Sequence, residues 1–184
     1  MQRRLAEDLR DNLLQHAGAV AVALGIDADA VQYAQPGIAV DEMVWAVNPA
    51  NDSLKGFVPF LSNRAQSYLV AASIPCWLDI PATLPDAPLS SAERHHLFLI
   101  VKEALHNIVK HAHAAEAWLR IRVDNHRLNI LIEDNGCGIS EPMTGGNGTG
   151  SMQQRIATIG STVERTSTSE GTTIAITLPL VKPN

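Results

Sequence analysis

The chain has 184 residues, 46% of them hydrophobic, 18% charged and only 4% aromatic, a globular composition with room for one full domain and a smaller piece. Its formal charge is 14 − 19 = −5; with no basic stripe to offset it, this argues against a duplex nucleic-acid partner. Cys76 and Cys137 are the only cysteines, far apart and in no CxxC spacing, which suggests neither a disulfide framework nor a cysteine metal site and fits a reducing compartment. No apolar run approaches the roughly 18 residues of a spanning helix. Met1-Gln2-Arg3-Arg4 leads into a charged helix rather than the apolar core of a signal peptide.

Residues 3–24 read as a helix, with Leu5, Leu9, Leu13, Val20 and Leu24 near helical spacing and Gly25 ending it. A short helical piece at 29–35 stops at Pro36-Gly37, and another helix runs from about Val40 to Val47. Asn48 to Asp52 form a turn cluster. Residues 53–72 look helical again, with Pro59 as a kink or a start. Cys76 to Ile80 is a plausible strand, and the stretch from Pro81 to Pro88 is a linker loop. Ser90 or Ser91 caps a helix that runs to about His111. Residues 117–123 and 128–134 alternate apolar and polar, joined at Asp124-Asn125-His126 as a hairpin. A polar, glycine-rich loop spans 136–150, followed by a helix from Met152 to Ile159 and a last hairpin of 162–167 with 172–178. Helices dominate before about residue 73 and a mixed pattern follows, so the expected division is 1–72 and 73–184.

The helix at 91–111 carries an apolar stripe of Leu97, Ile100, Val101, Ala104, Leu105 and Ile108. On the neighbouring stripe stand Glu103, Asn107, Lys110 and His111, spaced i, i+4, i+7, i+8. A solvated polar face would look the same. The residue types also suit a phosphate–magnesium site. Magnesium is a hard cation that keeps several waters and takes few protein oxygens, of which the Asn107 carbonyl can be one. Lys110 can meet phosphate charge, and Glu103 can orient water or accept a proton. His111 with His113 offers a weak metal alternative, since i, i+2 side chains point apart on a helix.

Three further features follow in order: Asp134-Asn135-Gly136-Cys137-Gly138, then Gly145-Gly146-Asn147-Gly148-Thr149-Gly150, then Gly171-Thr172. With Glu103 and Asn107 they resemble the N, G1, G2 and G3 boxes of the GHKL ATP-binding fold, shared by gyrase, heat-shock chaperones, histidine kinases and mismatch-repair ATPases. Asp134, Gly136 and Gly138 match the DxGxG pattern of the G1 box. The resemblance gives the Asp134 carboxylate the adenine amino group as partner, and makes Gly146, Gly148 and Gly150 part of a loop over the triphosphate, with Thr172 as the G3 threonine. Thr149 departs from the leucine that histidine kinases often carry there. Earlier, Asp41 to Leu54, with Trp45 and Asn48-Pro49, looks like the segment joining dimerisation helices to the ATPase domain in sensor kinases with short phosphoacceptor helices, the nitrate-sensor group.

The resemblance implies an α+β protein: an N-terminal helical dimerisation region, then a GHKL-type (Bergerat) α/β sandwich with a mixed sheet. It implies ATP and Mg²⁺ as ligands, a homodimer through the N-terminal helices, a response regulator as partner, and a cytoplasmic location as part of a membrane-bound receptor. One position departs sharply. The family carries a motif like DLHDxLG on its first helix; this chain reads Asp8-Leu9-Arg10-Asp11-Asn12-Leu13-Leu14. Arg10 stands at the phosphoacceptor position with the partner acid Asp11 beside it. A guanidinium has no free lone pair and cannot accept a phosphoryl group; His16 is out of phase with that position. A histidine kinase altered at its acceptor, a binding-only relative, and an anti-sigma-like regulator therefore all remain open here.

Overall fold

The computed structural model describes Trp45, residues 51–138 and residues 155–180. The chain divides into two compact units, Met1–Asn48 and Pro49–Asn184. In the first unit Trp45 is helical and half-buried; the helices expected at 3–24 and 29–35, with Arg10 and Asp11, lie outside the described residues.

In the second unit α1 spans Leu54–Ala71, its N-terminus capped by the Ser53 hydroxyl, which accepts the Gly56 amide at 3.1 Å. Pro59 sits inside this helix rather than at its start. Leu54, Phe57, Val58, Leu61, Ala65 and Leu69 are buried, an i, i+3, i+4 stripe that packs on the strand Cys76–Asp79 (β1) and on the helix Ser91–Asn107 (α2). The sequence pattern assigned residues 54–71 to the first, helical region. Their packing places them instead with the sheet, and the division between compact units falls after Asn48.

The rest of the sheet comprises β2 (Ala117–Asp124), β3 (Arg127–Asp134), β4 (Thr162–Thr168) and β5 (Gly171–Pro179), in the order β1-β2-β3-β5-β4. β1 runs parallel to β2; every other pairing is antiparallel, so the sheet is mixed. Alternation decides the faces. Ala117, Leu119, Ile121, Leu128, Ile130, Ile132, Ile174, Ile176 and Leu178 are buried on one side, while Trp118, Arg120, Arg122 and Glu133 point to the other. The β2–β3 turn puts Asn125 and His126 both at positive φ, 44° and 58°, the two-residue geometry that matches strand twist. The strands therefore extend to Asp124 and begin again at Arg127, one residue beyond the expected ends.

Helix α2 begins with a reciprocal cap. The Ser90 hydroxyl accepts the Glu93 amide at 3.3 Å, and a Glu93 carboxylate oxygen accepts the Ser90 amide at 2.8 Å. Next to it Arg94, wholly buried, pairs with Asp52, tying the residues before α1 to the start of α2. Replacing Ser90 by Ala removes the hydroxyl that accepts the orphan Glu93 amide of the first turn. Thermal unfolding of Ser90→Ala should show a loss of about 1 kcal/mol, a melting shift of roughly 3 °C.

Candidate functional site

The last turn of α2 does not stay α-helical. Residues Ile108–Ala112 form one turn of π-helix, closed by His113 in the left-handed region at φ 51°. Such single turns alter side-chain register and recur at functional sites. The stripe expected from Glu103 to His111 therefore breaks after Asn107. Glu103 and Asn107 share the α-helical part and are half-buried; Lys110 and His111 lie on the π turn and are exposed.

This turn is where the glycine motif docks. The Cys137 amide donates to the Ala112 carbonyl at 2.7 Å. A Cβ on Gly136 would stand 2.1 Å from that same carbonyl oxygen, so a side chain there is excluded by close approach, not by φ. Asn135 holds the other side: its side-chain oxygen accepts the amides of Ala115 and Glu116, each at 2.9 Å. Nothing in the local sequence singles out Asn135. Its position between an aspartate and a glycine reads as ordinary turn chemistry, and only the fold brings residues 115 and 116 to it.

Asp134 ends β3 with its side chain on the covered face, 8% exposed. One carboxylate oxygen accepts the Gly136 amide at 2.9 Å; the second accepts no hydrogen bond from a described residue. Across the ladder Asp134 faces Thr172, equally buried, whose hydroxyl lies 3.2 Å from that of Ser167. Gly171 just before it has φ 139°, and a Cβ there would come within 1.9 Å of the Asp134 carbonyl oxygen. Gly171 is thus both hairpin turn and close-packing residue, and the two readings of Gly171-Thr172 are compatible. Gly138, also buried, rests against the Thr168 carbonyl. Asp134, Gly136, Gly138 and Thr172 therefore converge at one end of β3 and β5, beside the turn that follows Asn107. Gly146, Gly148 and Gly150 lie outside the described residues.

A second network flanks Glu103. The Tyr68 hydroxyl on α1 meets His106 Nδ1 at 3.2 Å. Burial, and then the negative charge of Glu103, push the Tyr68 phenol up. Burial, followed by the charge of Lys110, pulls His106 down, so at neutral pH it is an uncharged imidazole. Phe60 on α1 packs on Phe98 of α2 at a centroid separation of 5.6 Å, with Lys102 over the Phe98 ring at 5.9 Å. Helix α2 is thereby fastened along its length to α1.

Residues 92–182 match the family described as "Histidine kinase-, DNA gyrase B-, and HSP90-like ATPase". The sensor histidine kinase LiaS of Bacillus subtilis is 31% identical over 106 residues, which cover 56% of this chain and 29% of LiaS. The nitrate/nitrite sensor protein NarX of Escherichia coli is 31% identical over 86 residues, 47% of this chain and 14% of NarX. The chain thus spans less than a third of these relatives. Among solved structures, the histidine kinase domain of the Erythrobacter litoralis EL346 blue-light activated histidine kinase superposes with a TM-score of 0.70 at 18% identity, covering 94% of this chain and 93% of that one. The fold is therefore that of a GHKL ATPase domain. The chain belongs to the sensor histidine kinases of the NarX-like group, of which it carries the ATPase catalytic domain.

Gly136→Ala tests the docking seam. The methyl must displace either the loop or the π turn, so the Cys137 amide should lose its bond to Ala112. Hydrogen exchange at Cys137 should rise at least tenfold, with stability lowered by roughly 1–3 kcal/mol. Unchanged protection at Cys137 contradicts the seam.

Proposed function

We propose that this chain is the ATP-binding catalytic part of a two-component sensor histidine kinase. In the parent reaction the ATP γ-phosphoryl group passes to a histidine and onward to an aspartate of a response regulator. The observation that carries this reading is Asp134: a buried carboxylate with one oxygen satisfied by its own loop, held among close-packed glycines beside Thr172. The second oxygen suits a donor such as the adenine amino group. A neutral hydrogen-bond partner is enough there, and the buried position makes leaving it unmet costly.

Asn107, half-buried on the last α-helical turn, offers one amide oxygen to Mg²⁺, which is what a cation that retains most of its waters requires. Bound there, Mg²⁺ would neutralise phosphate charge. Lys110 and His111, exposed on the π turn, meet the phosphates, and the glycines at 146, 148 and 150 supply backbone amides to them. Glu103 holds the proton leaving the acceptor nitrogen. Catalysis of this kind is mostly positioning and charge neutralisation. The N-terminal helices form the homodimer, and the chain works on the cytoplasmic side of a membrane through segments beyond it; among the described residues no helix is long and apolar enough to cross a membrane.

Arg10 favours a second reading, an ATP-binding regulatory module that acts without self-phosphorylation. Its guanidinium stays protonated near neutral pH, while Asp11 and Glu103 are retained. Two variants test these readings. Asp134→Asn presents a donor to the adenine amine, and calorimetry should show ATP affinity reduced by at least tenfold; equal affinity sinks the adenine pocket. The chain as it stands should bind ATP without forming phosphohistidine, and Arg10→His should form an acid-labile, base-stable phosphoprotein with ATP and Mg²⁺. A silent Arg10→His chain that still binds ATP makes the binding module the better reading. Robust phosphohistidine in the unchanged chain makes another histidine the acceptor.

A further inference from the structure

Asn107, Lys110 and His111, the residues offered to Mg²⁺ and phosphate, sit where the helix changes type. Asn107 is the last α-helical residue, and Ile108–Ala112 form the π turn. At the junction the Ile108 amide is shared between the carbonyls of Ala104 and Leu105. A shared donor marks a backbone between two hydrogen-bonding registers, and a single π turn competes with an α-helical continuation of the same residues. The wide turn therefore needs holding at both ends.

Its far end is held by the Cys137 amide on the Ala112 carbonyl, at 2.7 Å. At its near end the Tyr68 hydroxyl of α1 and Nδ1 of His106 share a hydrogen bond of 3.2 Å. His106 directly precedes Asn107 and follows Glu103 by three residues, about one helical turn. Tyr68 has a firm footing. Leu69 beside it is buried, and its carbonyl accepts the Ile74 amide at 2.9 Å, which closes α1 onto the turn into β1. About two turns earlier along both helices, Phe60 packs on Phe98, so α1 and α2 run side by side in the same direction up to this bond.

We propose that Tyr68 is a positioning residue for the Mg²⁺ and phosphate end of the site: through His106 it fixes where α2 passes into the π turn, and so fixes Asn107 relative to Lys110 and His111. Without the near pin the wide turn can slide or revert to α, which rotates Lys110 and His111 about the helix axis relative to Asn107. The adenine end is insulated from that change, because Asp134 is held by the Gly136 amide and by its place on β3. The consequence for ligands rests on the proposed function; the pinning of the turn does not.

Tyr68→Phe removes the hydroxyl alone, and an exposed hydrogen bond contributes little to global stability, so the fold stands. Hydrogen exchange on the whole chain reads the pin. In Tyr68→Phe the amides of Ile108 to Ala112 should lose protection about fivefold, while the amides of β3 keep theirs. His106→Leu should do the same, and the double variant Tyr68→Phe/His106→Leu should lose no more than either alone. His106→Asn, with a polar group in the place of Nδ1, should keep the protection. Calorimetry reads the consequence: Tyr68→Phe should bind Mg²⁺-ATP about fivefold more weakly, with the affinity for metal-free adenosine unchanged. Unchanged exchange at 108–112 in Tyr68→Phe, additive losses in the double variant, or a parallel loss in β3 each overturn the pin. Mg²⁺-ATP affinity that stays level, or falls together with that for adenosine, overturns the positioning role. An unchanged chain that binds neither ligand refutes the proposed function and leaves the exchange result to decide the pin.

Discussion

The site depends on one backbone contact. The carbonyl of Ala112, at the end of α2, accepts the Cys137 amide while Gly136 passes it too closely for any side chain. Helix and sheet meet there with no intervening side-chain layer. Everything on the helix side, Asn107 above all, is held in register with everything on the strand side, Asp134 and Thr172. The π-helical turn serves that contact: an α-helical ending would carry its carbonyls in a different direction, so the local change of helix type and the glycine belong to one arrangement.

Around this seam the packing is ordinary. β2, β3 and β5 bury an alternating aliphatic face of the five-stranded sheet under α1 and α2. The buried charges come with partners: Arg94 with Asp52, and Glu93 within the cap of α2. Asp134 keeps one oxygen committed to its own loop and one that accepts no hydrogen bond from a described residue. A buried polar group left partly unmet is costly in a structural role and useful in a binding one, which is why Asp134 stands out from the other carboxylates. Tyr68 and His106 add a lateral tie, so that a displacement of α1 is felt one turn from Glu103.

The same reasoning explains where the sequence misled. Residues 54–71 look like part of a helical region because their stripe is helical; periodicity reports that a face is buried, not which partner buries it. The stripe from Glu103 to His111 keeps α-helical spacing on paper, and nothing in Ile108 to Ala112 signals the wider turn. Asn135 carries no mark of its bracket to Ala115 and Glu116, since both partners are distant in sequence and use only their backbones.

By itself the sequence determined the elements and the chemistry available to them. Alternation set both antiparallel hairpins, Ser90 marked the start of α2, and the order of Glu103-Asn107, Asp134-Gly136-Gly138 and Gly171-Thr172 named the family before any coordinates. These are local signals: a period, a cap, a turn, a motif. Only the tertiary structure decided that α1 belongs with the sheet and that Gly171 crowds the Asp134 backbone. Those are consequences of which surfaces exclude water together, and burial of that kind depends on residues far apart in the chain.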